Sequence, residues 1–184
     1  MRCAKAQEDV PVIMQYAESL LQDEGLPVGW RSEALLNAAR SALALNDSAN
    51  AKLYYTQVAA EIKGEAQAES NYYLAHFEYV QSKYDASTER IFWTIDNLPT
   101  YPQWRWKSLL LMAKNYAGLQ DDFQANYTLD YIIDNAEGAI VGEAQQFKSD
   151  LTRRRAAEEA QAQISDTLEV APTEMEELED LDQE

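Results

Sequence analysis

A single cysteine, Cys3, in 184 residues excludes an internal disulfide and says nothing of redox compartment. Glycine and proline are scarce as well, at six and five residues, which suits long helices joined by short turns. No apolar run approaches the ~18 residues that a membrane-crossing helix needs. The opening Met1-Arg-Cys-Ala-Lys-Ala-Gln runs into Glu8-Asp9 with no apolar signal-peptide core, and no apolar stretch precedes Cys3 to suit a lipoprotein anchor. Sustained alternation of apolar and polar residues is missing too, so strands are not expected.

Positive charge is short. Fifteen lysines and arginines face thirty-two acidic residues, for a net charge of −17. Nine of the acidic residues lie at 166–184, where there is no lysine or arginine, so the remainder of the chain carries an excess of eight. Such a chain repels phosphate, so nucleic acid and anionic membrane surfaces are not expected as partners, and no direct membrane insertion is expected. Catalytic patterns are equally absent: there is no GxSxG, GxxxxGK[ST], GxGxxG or HExxH. The one histidine, His76, has no second histidine and no nearby cysteine, so it is read as a polar position on a helix face rather than a base or ligand. The pairs Asp121-Asp122 and Glu158-Glu159 sit where caps and solvated faces are expected. No catalytic residue, cofactor or metal is therefore assigned, and the chain is read as a non-enzyme.

What the sequence does contain is helical periodicity. Apolar residues recur at three- and four-residue spacing, predicting helices at about 4–21, 30–45, 48–62, 65–82, 85–97, 103–118, 121–136 and 139–164. Pro11 must lie in the first turn of its helix, because it has no N–H to donate. Leu35, Ala38, Ala39 and Ala42 lead through Asn46-Asp47-Ser48 into Ala51, Tyr55 and Val58. Leu74, Ala75 and Tyr79 lead into Ala86, Ile91 and Ile95. Leu109, Met112, Ala113 and Tyr116 lead, through a break assigned to Gly118 and a cap at Asp121-Asp122, into Ala125, Leu129 and Ile132. The first alanines of these pairs, at 39, 75 and 113, are 36 and 38 residues apart. The second alanines, at 51, 86 and 125, follow them by 12, 11 and 12 residues. Helical hairpins at this pitch, with small residues where backbones meet, point to an α-solenoid.

The stretch resembles the tetratricopeptide repeat family, whose unit is ~34 residues long. The run with Pro102, Trp104, Lys107-Ser108, Ala113, Asp122-Phe-Gln-Ala125, Leu129 and Ile133-Asp-Asn135 is similar to the C-terminal repeats of large tetratricopeptide proteins of the Bacteroidota. It covers residues 67–151, and more loosely the chain back to residue 8. The resemblance implies an all-α, right-handed solenoid of three hairpins at 30–137. An N-terminal helix at 1–29 reads as a cap or the second half of a truncated repeat. A capping and projecting helix follows at 138–165, its apolar side Ile140, Val141, Ala144, Phe147 and Leu151. The acidic tail at 166–184, with Pro172, is expected to be disordered.

In such solenoids the first helix of each pair lines a concave groove. The resemblance places Glu33, Leu36, Arg40 and Leu43 there from the first pair, Glu69, Tyr72, His76 and Tyr79 from the second, and Lys107, Leu110 and Lys114 from the third. It implies a scaffold binding a protein or extended peptide, within a larger envelope-associated (periplasmic or outer-membrane-linked) protein. Self-association through the C-terminal helix, or service to a catalytic domain elsewhere in a longer chain, are the alternatives. The repeats that clamp a C-terminal carboxylate need basic residues where this chain has Leu36 and Leu111, so that clamp is incomplete. Phe92, Trp93, Tyr101, Trp104 and Trp106 are expected to form one packed corner around an inter-repeat loop. Arg153, Arg154 and Arg155 are expected on a solvated face, paired with Glu158 and Glu159.

Overall fold

A computed structural model describes the backbone of residues 9–179 and the side chains of residues 9–164. The described residues form eight helices and no strand. These are α1 (Val10–Leu21), α2 (Val28–Ala44), α3 (Ser48–Glu61), α4 (Glu65–Val80), α5 (Tyr84–Asn97), α6 (Pro102–Gly118), α7 (Asp122–Asn135) and α8 (Ala139–Glu179). The protein is all-α, and α2 to α7 start and stop within two residues of the positions that periodicity predicts. Pro11 lies in the first turn of α1, behind Asp9, whose side chain accepts the Val12 N–H.

Two compact units divide near residue 136. The first holds α1 to α7, in which each helix packs on its successor across connections of three to six residues, and α4 also packs on α6. The second is the single helix α8. Its backbone continues through residues 166–179, where a disordered tail was expected. A helix already nucleated upstream adds residues without a new initiation cost, and leucine, glutamate, alanine and methionine favour that growth; Pro172 removes one backbone bond. Residues 180–184 of the expected tail lie outside the described residues.

One turn is used three times. Asn46, Ser82 and Gln120 have φ of 59°, 57° and 62°, the left-handed conformation that ends a helix. Each supplies two backbone bonds to the helix it closes. Asn46 and Asp47 donate to Leu43 and Ala42, Ser82 and Lys83 to Tyr79 and Glu78, and Gln120 and Asp121 to Ala117 and Tyr116. The turns are 36 and 38 residues apart, matching the alanine spacing. The break expected at Gly118 is thus made two residues later, by Gln120. Gly118 closes α6 for another reason: a Cβ there would lie 2.5 Å from the Tyr84 ring of α5.

Asp47 and Asp121 go on to cap α3 and α7, accepting the N–H of Asn50 (3.1 Å) and Gln124 (3.0 Å). The third equivalent position holds Lys83, which offers no acceptor, and α5 has no side-chain cap. Lys83→Asp is expected to stabilise the protein by about 1 kcal/mol. Urea denaturation of the two proteins checks this; an unchanged or lower midpoint would refute it.

The small-residue positions also need one correction. Ala39, Ala51, Ala75, Ala113 and Ala125 are fully buried, but Ala86 is exposed and its neighbour Ser87 is fully buried. The second small residue therefore follows the first by twelve residues in all three hairpins. Serine fills the middle site because its hydroxyl has a partner: Asn115 of α6, itself buried, donates from Nδ2 to Ser87 Oγ at 2.9 Å.

Candidate partner-binding surface

The side chains assigned to a groove separate into two groups. On α4, Tyr72, His76 and Tyr79 are half-buried and adjacent, with ring centroids 6.4 Å apart for Tyr72–His76 and 6.2 Å for His76–Tyr79. They follow one another at four and three residues, so α4 lays them along one side. From α6, Trp104 closes on Tyr72 at 5.7 Å, and the Lys107 ammonium stands 4.6 Å over the Trp104 ring. Lys114 lies close enough to His76 to act on its charge. Burial, and then Lys114, hold the His76 imidazole below its ordinary value of 6.5. This part of the surface is aromatic and locally cationic in a strongly acidic chain.

The other group is not continuous with this surface, and two of its members are interior. Glu69 and Leu110 are buried and cannot face a partner. Leu110 is covered because α6 packs on α4, α5 and α7, burying residues 108–113 in succession. Glu69 is engaged from α2: Arg40 donates from Nε to Oε1 at 2.7 Å and from Nη2 to Oε2. Tyr55 of α3 donates its hydroxyl to the same carboxylate at 3.4 Å and stacks on Tyr73 of α4 at 4.8 Å. Leu36 and Leu43 pack partly buried against the cluster of Ala39, Ala42, Tyr55 and Leu74. Glu33 remains exposed on α2.

Burial, reinforced by Glu69, raises the Tyr55 and Tyr73 phenols above their ordinary value of 10. A phenol with a raised value in the fold contributes stability that is complete below pH 10 and is lost as the pH rises past it, since the unfolded chain ionises first. Urea midpoints on the two sides of pH 10 are expected to fall steeply, and Tyr55→Phe to flatten that fall. An equal slope in the variant would exclude Tyr55 as its source.

No family model, no curated protein and no solved structure matches the chain. Among the described residues no helix is long and apolar enough to cross a membrane, and no cluster of three or more metal-ligating side chains occurs. Asp121 caps α7, while Glu158 takes ion pairs from Arg154 and Arg155 on α8.

The expected aromatic corner does not form as one cluster. Trp104 joins Tyr72 and Tyr73, and Trp106 lies 6.0 Å from Tyr131. Phe92 and Trp93 of α5 are each nearly half exposed. Trp93 instead forms part of a cleft of about 670 Å³ that sequence reasoning missed. Its floor is the side of α4 opposite Tyr72 and Tyr79, carrying Gln67, Asn71, Leu74 and Glu78. Thr56, Ala59 and Ala60 of α3 form one wall; Ala86, Glu89, Arg90 and Trp93 of α5 form the other. Within each helix these residues recur at helical spacing, but three separate faces become one cleft only through packing.

Proposed function

We propose that the hairpins of α2 to α7 form a tetratricopeptide-like right-handed solenoid that works as a non-enzymatic scaffold, holding a protein or extended peptide on the α4–α6 surface. The observation that carries this is the continuous run Tyr79–His76–Tyr72–Trp104–Lys107, in which three half-buried rings and the buried Trp104 indole lead to an exposed cation. Such surfaces give a peptide stacking area and hydrogen bonds at low conformational cost. The thrice-repeated turn and the constant twelve-residue spacing of buried small residues support the solenoid. Placement in a larger envelope-associated protein rests on the resemblance of the repeats alone.

The test is capture of partners from an envelope extract with the chain as bait, beside the variant Tyr79→Ala/Lys107→Ala. Both side chains can be removed without touching Tyr72, which also packs against Tyr73 and Trp104. A partner lost in a variant that keeps its helical circular dichroism is expected. A partner held equally by both proteins would end this reading.

Self-association is a second reading, favoured by one feature. Phe123, Tyr127 and Tyr131 project from α7 at four-residue spacing, and Phe123 is 77% exposed. A mass that grows with concentration and returns to the monomer in Phe123→Ser/Tyr127→Ser is the expected outcome of that reading.

A further inference from the structure

The cleft between α3 and α5 stands apart from the surface just described, and its chemistry is different. Gln67 and Asn71, on its floor, are each only 5% exposed. Each carboxamide is already oriented: Gln67 donates from Nε2 to the Ala59 carbonyl at 3.0 Å, and Asn71 from Nδ2 to the Gln67 carbonyl at 2.9 Å. That leaves each with an amide oxygen and a second N–H. The two residues are one turn apart, about 6 Å along the axis. An extended chain presents equivalent backbone groups every second residue, about 6.6–6.8 Å. The walls beside them are Ala59, Ala60 and Ala86, small enough to let a backbone come close.

The rim adds a charge preference. Glu78 is matched by Arg90, which donates to it from Nε and Nη2. Glu89 has no hydrogen-bond or ion-pair partner among the described residues, and it precedes Trp93 by four residues on the same side of α5. A cation seated there meets a carboxylate and an indole face together.

We propose that this cleft binds an extended cationic peptide, whose backbone pairs with Gln67 and Asn71 and whose arginine or lysine lies between Glu89 and Trp93. The occupant is a protein segment rather than a free polyamine, because the floor offers peptide-like groups in peptide register.

Nuclear magnetic resonance titration with acetyl-Gly-Arg-Ala-Gly-amide tests it, with the glutamate and leucine counterparts as controls. The arginine peptide is expected to shift the side-chain amides of Gln67 and Asn71 and the indole N–H of Trp93. It should bind at least about fivefold more tightly than either control. Glu89→Gln, an exposed change that leaves the fold intact, is expected to weaken it about threefold or more. Tyr79→Ala should have no effect. No shift, equal binding of the three peptides, indifference to Glu89→Gln, or loss of binding in Tyr79→Ala would each overturn the proposal. The α4–α6 scaffold reading would be untouched by the first three results.

Discussion

Arg40→Ala is expected to lower the unfolding free energy by about 2–4 kcal/mol, although Arg40 itself is half in water. The cost lies with its partner. Glu69 is 3% exposed, and without the guanidinium its charge would keep only the Tyr55 hydroxyl at 3.4 Å. Breaking one side of a buried pair costs about 3–5 kcal/mol, and water around Arg40 moderates that figure here. Removing both charges is a different experiment. Arg40→Met with Glu69→Leu should recover most of the loss, because no unpaired charge is left inside. Arg40→Lys should recover less, since an ammonium cannot reproduce the two-pronged contact. Urea denaturation of the four proteins checks the series, and a single alanine variant within about 0.5 kcal/mol of the parent would sink it.

The second large effect separates two adjacent residues. Ser87→Leu is expected to cost about 3–4 kcal/mol: it inserts three extra carbon atoms at a fully buried site and removes one of the two acceptors of the Asn115 amide, leaving Thr88 Oγ1 at 3.1 Å. Ala86→Leu should change stability by less than about 0.5 kcal/mol, because that position is exposed. Residual helicity and urea midpoints of both variants read the difference. The reverse order, with Ala86 the sensitive site, would mean that α5 is rotated by one residue from the arrangement described.

That pair also shows where sequence reasoning stopped. Periodicity located the helices because burying one face of a helix needs a repeat of 3.6 residues, and that repeat is written in residue type. It chose Ala86 over Ser87 because alanine looks like the small apolar residue a close crossing requires. What decided the matter was a hydrogen-bond partner on another helix, 28 residues away, which makes a buried serine acceptable. Gly118 was misread in a related way. A glycine near a helix end suggests a left-handed cap, yet Gln120 takes that conformation and Gly118 makes room for the Tyr84 ring.

The candidate surfaces follow the same division. Tyr72, His76, Tyr79 and Lys107 could be named from spacing because they share sides of their own helices. The burial of Glu69 and Leu110, and the cleft bounded by Ala59, Asn71 and Trp93, could not, because they depend on which helices flank α4 and α6. Residue pattern was enough for the helical character of the described residues and the ends of α2 to α7, which depend on residues within about one turn of each other, and for the hairpin period, which is the recurrence of those local signals. Tertiary structure alone decided which small residues meet, which charges are buried against each other and which helix faces enclose a cleft. These are contacts between segments far apart in sequence, and no local pattern encodes the distance between two helix axes.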